Sequence, residues 1–286
     1  MRISVLHSTT YRYDRAVFQE PHTFRFRPRQ DAAQSLLRYA LEISPAPAGK
    51  TECLDQDGNV VLETWFDAMI EEMQVRSSFE IETLRENPFD FVLAPELARL
   101  PLVHQSPLRE ALAAYVACGS VADFACQPMV QELARSIAEK AGWGTLAFLT
   151  ELTRSLSEGF QHIVRDDGPP LDPEVTLRKG AGSCRDLTVL FCSACRAMGI
   201  PARFVSGYER EAAFQDQANM HAWAEVYLAG GGWRGYDPSA GLAVSTSYVT
   251  VAAAANPRLA APISGSYRGA ATAKMEFQIS MQVDSP

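Results

Sequence analysis

Hydrophobic and polar positions alternate with a period near two in residues 8–13, 23–27, 35–43 and 73–82, the spacing of half-buried strands. The turn Asp57, Gly58, Asn59 lies between the β-favouring runs 51–54 and 60–66 and predicts a hairpin. Short strands with turns between them make residues 1–85 a small antiparallel, sandwich-like β domain. Regular patterning then stops. Pro88, Pro95, Pro101 and Pro107 punctuate residues 86–108, which read as a linker. Beyond it the apolar period changes to that of helices, over residues 127–141 and 145–163, with an interruption at Gly142, Trp143 and Gly144.

A third helical pattern follows a glycine-rich turn. Leu187, Leu190, Phe191, Ala194, Ala197 and Met198 recur at three- and four-residue spacing, and Gly199 with Pro201 ends the run. Cys184 stands where this helix begins, after Gly180, Ala181, Gly182 and Ser183. Backbone N–H groups and the helix dipole favour negative charge at that end, and the thiolate is the nucleophilic form of cysteine. Asp186, in the first turn, suits the dipole and a capping role. Strand-like patterning resumes at 221–228 and 233–237, around the loop Ala229 to Gly232, and again at 246–251 and 275–283, with a small-residue loop between the last two. The whole is an α+β chain, with the helices expected to pack around the cysteine helix on an antiparallel sheet in residues 109–286.

A nucleophilic cysteine needs a base, and the base needs an orienting group. His221 leads one strand of the second hairpin and Asp237 ends the other. A plain two-residue turn at Gly230 and Gly231 pairs His221 with Ala240 and Asp237 with Ala224, which puts the two side chains on opposite faces. The register must therefore slip by one, and Gly231, Gly232 or Gly235 can host the bulge. Trp223 shares the face of His221, where it either shields the imidazole, lines the acyl cleft or belongs to the core. For an oxyanion hole the Cys184 N–H is the first donor, and Gln161 is the candidate second donor by sequence position.

Four segments together carry a resemblance. Gly182 to Asp186 (Gly-Ser-Cys-Arg-Asp), Gly199 to Arg203 with Val205 to Tyr208, His221-Ala222-Trp223 and Tyr236-Asp237-Pro238 resemble the core of the transglutaminase-like superfamily, a papain-related fold whose bacterial members are often described as cysteine proteases. Residues 7–13, Phe26 to Pro28 and the Asp57 hairpin are similar to the N-terminal region that precedes this core in bacteria. The resemblance implies Cys184 as nucleophile, His221 as general base and acid, and Asp237 as the group that orients the imidazole. It also implies thiol-dependent acyl transfer through a thioester. Resolution by water makes a protease or amidase acting on a protein or peptide; resolution by an amine makes a protein-glutamine transglutaminase. A scaffold that keeps the fold without turnover is the third reading. Where related bacterial sequences carry a charged Gly-Arg-Asp-like segment, this chain has Ala253, Ala254, Ala255, Asn256 and Pro257.

Composition narrows the remaining options. The chain has 286 residues, 47% hydrophobic and 21% charged, with formal net charge −8, which argues against nucleic acid or an anionic membrane as partner. No apolar run approaches the roughly 18 residues of a membrane span, and the N-terminus lacks a signal-peptide pattern, so a cytoplasmic location is expected. The six cysteines are scattered and expected to be reduced. Cys192 and Cys195 form a C-x-x-C, yet it lies two to three turns inside the helix and has no second pair to complete a zinc site. It reads as core, and no metal or organic cofactor is expected. Asp166 to Pro173 reads as a solvated substrate-side loop whose carboxylate spacing fits no EF-hand. Arg25, Arg27 and Arg29 read as a solvated strand face, and His7 and His22 as structural.

Overall fold

The computed structural model describes residues 1–117, 127–165, 168–210 and 219–283. Asp166 and Asp167 of the expected substrate-side loop, and Cys118 and Cys126, lie outside them. In chain order the N-terminal part holds β1 (Arg2–Gln19), β2 (His22–Phe24), β3 (Gln34–Ser44), β4 (Gly49–Leu54), β5 (Val60–Trp65) and β6 (Met69–Thr83). Two one-turn helices follow, α1 (Leu108–Ala111) and α2 (Ala113–Val116), then α3 (Pro128–Lys140) and α4 (Thr145–Gly159). Next come β7 (Gln161–His162), α5 (Pro173–Lys179), β8 (Ala181–Gly182) and α6 (Cys184–Ala197). The chain closes with β9 (Ala202–Glu209), β10 (His221–Leu228), β11 (Gly232–Asp237), β12 (Leu242–Ala243), β13 (Tyr248–Ala254), β14 (Ile263–Ser264), β15 (Tyr267–Arg268) and β16 (Ala273–Val283).

The N-terminal alternation folds into two antiparallel sheets, one ordered β15-β1-β6-β3 with β16 also on β1, the other β14-β2-β5-β4. Phe24, Phe26, Phe66, Ile70, Met73 and Val75 pack between them with Tyr39 and Leu62. The register of β16, from Ile3 opposite Val283 to Tyr13 opposite Ala273, places the last strand on this N-terminal sheet rather than on the sheet that holds His221. Its period-two pattern specified a strand and its faces, but alternation does not encode which neighbour supplies the hydrogen bonds.

The three arginines do not form a solvated strand face. Strand β2 ends at Phe24, so Arg25 and Arg29 leave the ladder. Arg25 is buried and donates to Ala261 O and Ser264 Oγ, and Arg29 donates to Asp57 O and Asn59 Oδ1. Only Arg27 keeps substantial exposure, 40% of its side chain. The linker is also not bare chain: Leu97, Leu100 and Leu102 are buried in the helical core with Phe148, Leu152, Leu190 and Phe191.

The second sheet is antiparallel, in the order β12-β11-β10-β9-β13. Helix α6 packs on β9 and β10, with α3, α4 and α5 around it. Residues of α6 from Asp186 to Cys195 are all buried, which explains why it can act as the axis of the layer. Burial pushes the Cys192 thiol up to about 12 and that of Cys195 well above its ordinary range, so both are inert core groups. Among the described residues no helix is long and apolar enough to cross a membrane.

His7 and Tyr208 join the two halves of the molecule. His7, on β1, lies 2.8 Å through Nδ1 from Tyr208 Oη on β9, and 3.0 Å through Nε2 from Thr9 Oγ1. Burial lowers its pKa to about 4. The sign follows from linkage: the unfolded imidazole takes up its proton near pH 6.5 and the folded one only near 4, so stability is full above about 6.5 and is lost as the pH falls toward 4, by about 3 kcal/mol at most. His7→Gln, which keeps two hydrogen-bonding groups without titrating, is expected to lose less stability than wild type between about pH 7 and about pH 4.5, read as urea midpoints.

Candidate active site

Ser183 caps α6, with its backbone N–H and hydroxyl both donating to Asp186 Oδ2 at 2.8 Å. This is a capping box, and it fixes Cys184 as the first helical residue. The other oxygen of Asp186 accepts from Leu171 N at 2.7 Å and Arg165 Nη2 at 2.9 Å. Arg185 donates to the carbonyls of Gly168 and Arg165. The turn before the cysteine is thus tied on both sides, and the buried Asp186 does more than complement the dipole.

The second hairpin resolves the parity problem at its turn. Leu228 pairs with Gly232 and Ala224 with Tyr236, so the loop holds three residues, one more than a plain two-residue turn. Gly230 and Gly232 take φ of 90° and 68° there, values that suit glycine. The extra residue is the one-residue slip the sequence required. Asp237 now falls opposite Trp223, two residues from His221, and the three side chains share a face. On the far side His221 pairs with Gly207; a Cβ there would stand 2.0 Å from Val249 O and 2.7 Å from the Trp223 ring, so glycine allows the close approach of β13.

His221 Nε2 lies 2.6 Å from Asp237 Oδ2, which leaves Nδ1 for the thiol of Cys184, whose ionisation His221 favours. Asp237 is fully buried. Its Oδ2 also accepts from Tyr248 Oη at 2.9 Å, while Oδ1 accepts from Ser239 Oγ at 2.6 Å, Ser239 N at 2.9 Å and Ala240 N at 3.1 Å. Burial alone would raise the carboxyl, but the charge and hydrogen bond of His221 and the Ser239 and Ala240 donors hold it down to about 2. Burial would likewise neutralise His221; Asp237 and the thiolate raise it to about 10. For Cys184 burial opposes ionisation, yet hydrogen bonds from His162 and His221, the imidazolium charge and the Ala222 N–H bring the thiol down to about 6. These interactions favour a thiolate beside an imidazolium.

Two other candidate positions look different in three dimensions. Trp223 has no exposed surface; it stacks behind His221 with ring centroids 6.2 Å apart and meets Tyr248 edge-on at 5.2 Å. It shields the imidazole from behind and cannot touch a substrate. Among the described residues no hydrogen bond joins Gln161 to Cys184; α4 stops at Gly159 and the chain enters β7, where successive side chains alternate. The next residue, His162, is the one whose ring favours the thiolate. Helical periodicity had absorbed His162 into a run to residue 163; Gly159 before Phe160 was the available sign of a break. Among the described residues no cluster of histidine, cysteine and carboxylate side chains could hold a metal ion.

Comparison with known proteins bears on the family and the fold. Residues 131–238 match the transglutaminase-like superfamily, and residues 3–82 match the bacterial transglutaminase-like N-terminal region. An uncharacterized protein of Mycobacterium leprae is 25% identical over 278 residues, covering 94% of both chains. One from Mycobacterium bovis is 24% identical over 275 residues, covering 87% of this chain and 82% of its own. Among solved structures, a "Putative Cysteine Protease" from Cytophaga hutchinsonii superposes with TM-score 0.71 at 20% identity, over 100% of this chain and 92% of its own. That likeness shows the fold.

Proposed function

Because this chain belongs to the transglutaminase-like superfamily through its core at residues 131–238, and carries the bacterial N-terminal region at residues 3–82, we propose that it hydrolyses a peptide or carboxamide bond of a protein or peptide substrate through a thioester on Cys184. The observation that carries this reading is the His221 Nε2 to Asp237 contact at 2.6 Å, with His221 on the strand packed against the helix that begins at Cys184 and favouring its thiolate. The thiolate attacks the carbonyl carbon. His221, protonated at Nδ1, delivers that proton to the leaving amine and then, as a neutral imidazole, takes a proton from the water that opens the thioester. Asp237 keeps Nε2 as the proton-bearing nitrogen toward itself, so that Nδ1 is free to cycle.

The test is a peptide library incubated with the protein, with and without a primary amine, and read by mass spectrometry. Hydrolysed products that form in both conditions and vanish in Cys184→Ala support the proposal. Amine adducts as the dominant product would convert the reading to a transglutaminase. An unreactive wild-type Cys184 would point to the scaffold alternative.

A further inference from the structure

We propose that His162 is a catalytic residue that completes the oxyanion hole, its ring N–H and the backbone N–H of Cys184 together binding the oxygen of the attacked carbonyl. This rests on Cys184 being the nucleophile. Strand β7 is held parallel to β8, His162 opposite Gly182, by Gln161 N to Gly180 O at 2.8 Å and Ile163 N to Gly182 O at 3.0 Å. The strand thereby sits beside the turn that delivers Cys184, near enough for the His162 ring to favour the thiolate. His162 is exposed whereas the His221 side chain is only 13% exposed. The imidazole that Asp237 orients therefore lies on the buried side of the site, and His162 on its open side. A substrate carbonyl can approach only from the open side. As the first residue of α6, Cys184 has a backbone N–H without an intrahelical partner, which supplies the other donor.

In the step considered, the sulfur lone pair forms the S–C bond and the carbonyl π pair moves onto oxygen. That oxyanion accepts the two N–H hydrogen bonds, then re-forms the C=O as the leaving group departs with its bonding pair. No proton leaves His162.

Two reactions of the same sulfur separate this role from a mere effect on thiol ionisation. Acylation by p-nitrophenyl acetate passes through an oxyanion; alkylation by iodoacetamide does not. Both are followed at Cys184 by peptide mass spectrometry near pH 9, above the ordinary thiol range of about 8.5. In His162→Phe, which keeps the ring volume without a donor, acylation is expected to fall roughly 100-fold while alkylation changes less than about threefold. His162→Gln, which retains an N–H, recovers much of the acylation rate. Equal slowing of both reactions, or no change in either, would overturn the assignment while leaving the Cys184 reading intact. A wild-type Cys184 that neither reagent modifies would overturn both.

Discussion

Replacing His221 by alanine is expected to cut the alkylation rate of Cys184 by iodoacetamide at least 30-fold near pH 7. In the wild-type protein the thiol titrates at about 6, so about nine tenths of it is thiolate at neutral pH. The substitution removes a hydrogen bond and a positive charge, while the burial that opposes ionisation remains. It also strands the Asp237 carboxylate behind the sulfur, a like charge that pushes the thiol up again. A thiol at or above about 8.5 is at most about three per cent ionised near pH 7, which sets the expected factor. The pair also defines a window for catalysis: thiolate and imidazolium coexist from about 6, where Cys184 gains its proton, to about 10, where His221 loses its own. A pH–rate profile for wild type should rise and fall with those limbs, and the acid limb should vanish from the neutral range in His221→Ala. Exposed Cys53 and buried Cys192 are internal references in the same digest. Unchanged reactivity of Cys184 in this variant would remove the basis for a thiolate–imidazolium pair.

The elements around the site were legible because each depends on local chemistry. The start of α6 follows from Ser183 and Asp186 three residues apart, and its burial from Leu187, Leu190, Phe191 and Ala194. The need for a register slip between His221 and Asp237 follows from strand parity alone, and the structure supplies it through the length of the Ala229 to Gly231 loop. What escaped the sequence is what depends on distant partners. Trp223 was correctly set on the face of His221, but its depth is decided by Tyr248 and Gly207 on flanking strands. The pairing of β16 with β1 joins residues 260 to 280 positions apart. His162 was hidden by a different fault: a 3.6 period persists through Leu152 and Leu156 and extends easily past Gly159, where the backbone has already turned to β. Arg25 and Arg29 alternate as strand residues do, yet their carbonyl partners Ala261 and Asp57 come from other segments.

Asp237→Asn is expected to lower turnover of any acyl substrate by roughly 10³- to 10⁴-fold while preserving the fold. The hydrogen bonds decide which way the amide must face. Oδ1 of Asp237 accepts from the backbone N–H groups of Ser239 and Ala240, which cannot reverse roles, so the asparagine oxygen has to stay there. Its NH2 then points at His221 Nε2 and Tyr248 Oη. The tyrosine hydroxyl can rotate to accept, and neutral His221 can accept at Nε2, so no buried group is left unpaired and stability falls by only about 1 kcal/mol. Satisfying that contact forces the histidine proton onto Nδ1. The nitrogen that must receive a proton from water is then already protonated, and the imidazolium loses the charge that held it near 10. Cys184 therefore reverts to a largely neutral thiol at pH 7. Two measurements separate this from unfolding: a urea midpoint close to wild type, and loss of the low-pH limb of Cys184 alkylation. A variant that keeps both its midpoint and its acid limb would show that Asp237 does not control the tautomer, and the role of His221 as base would have to be reassigned.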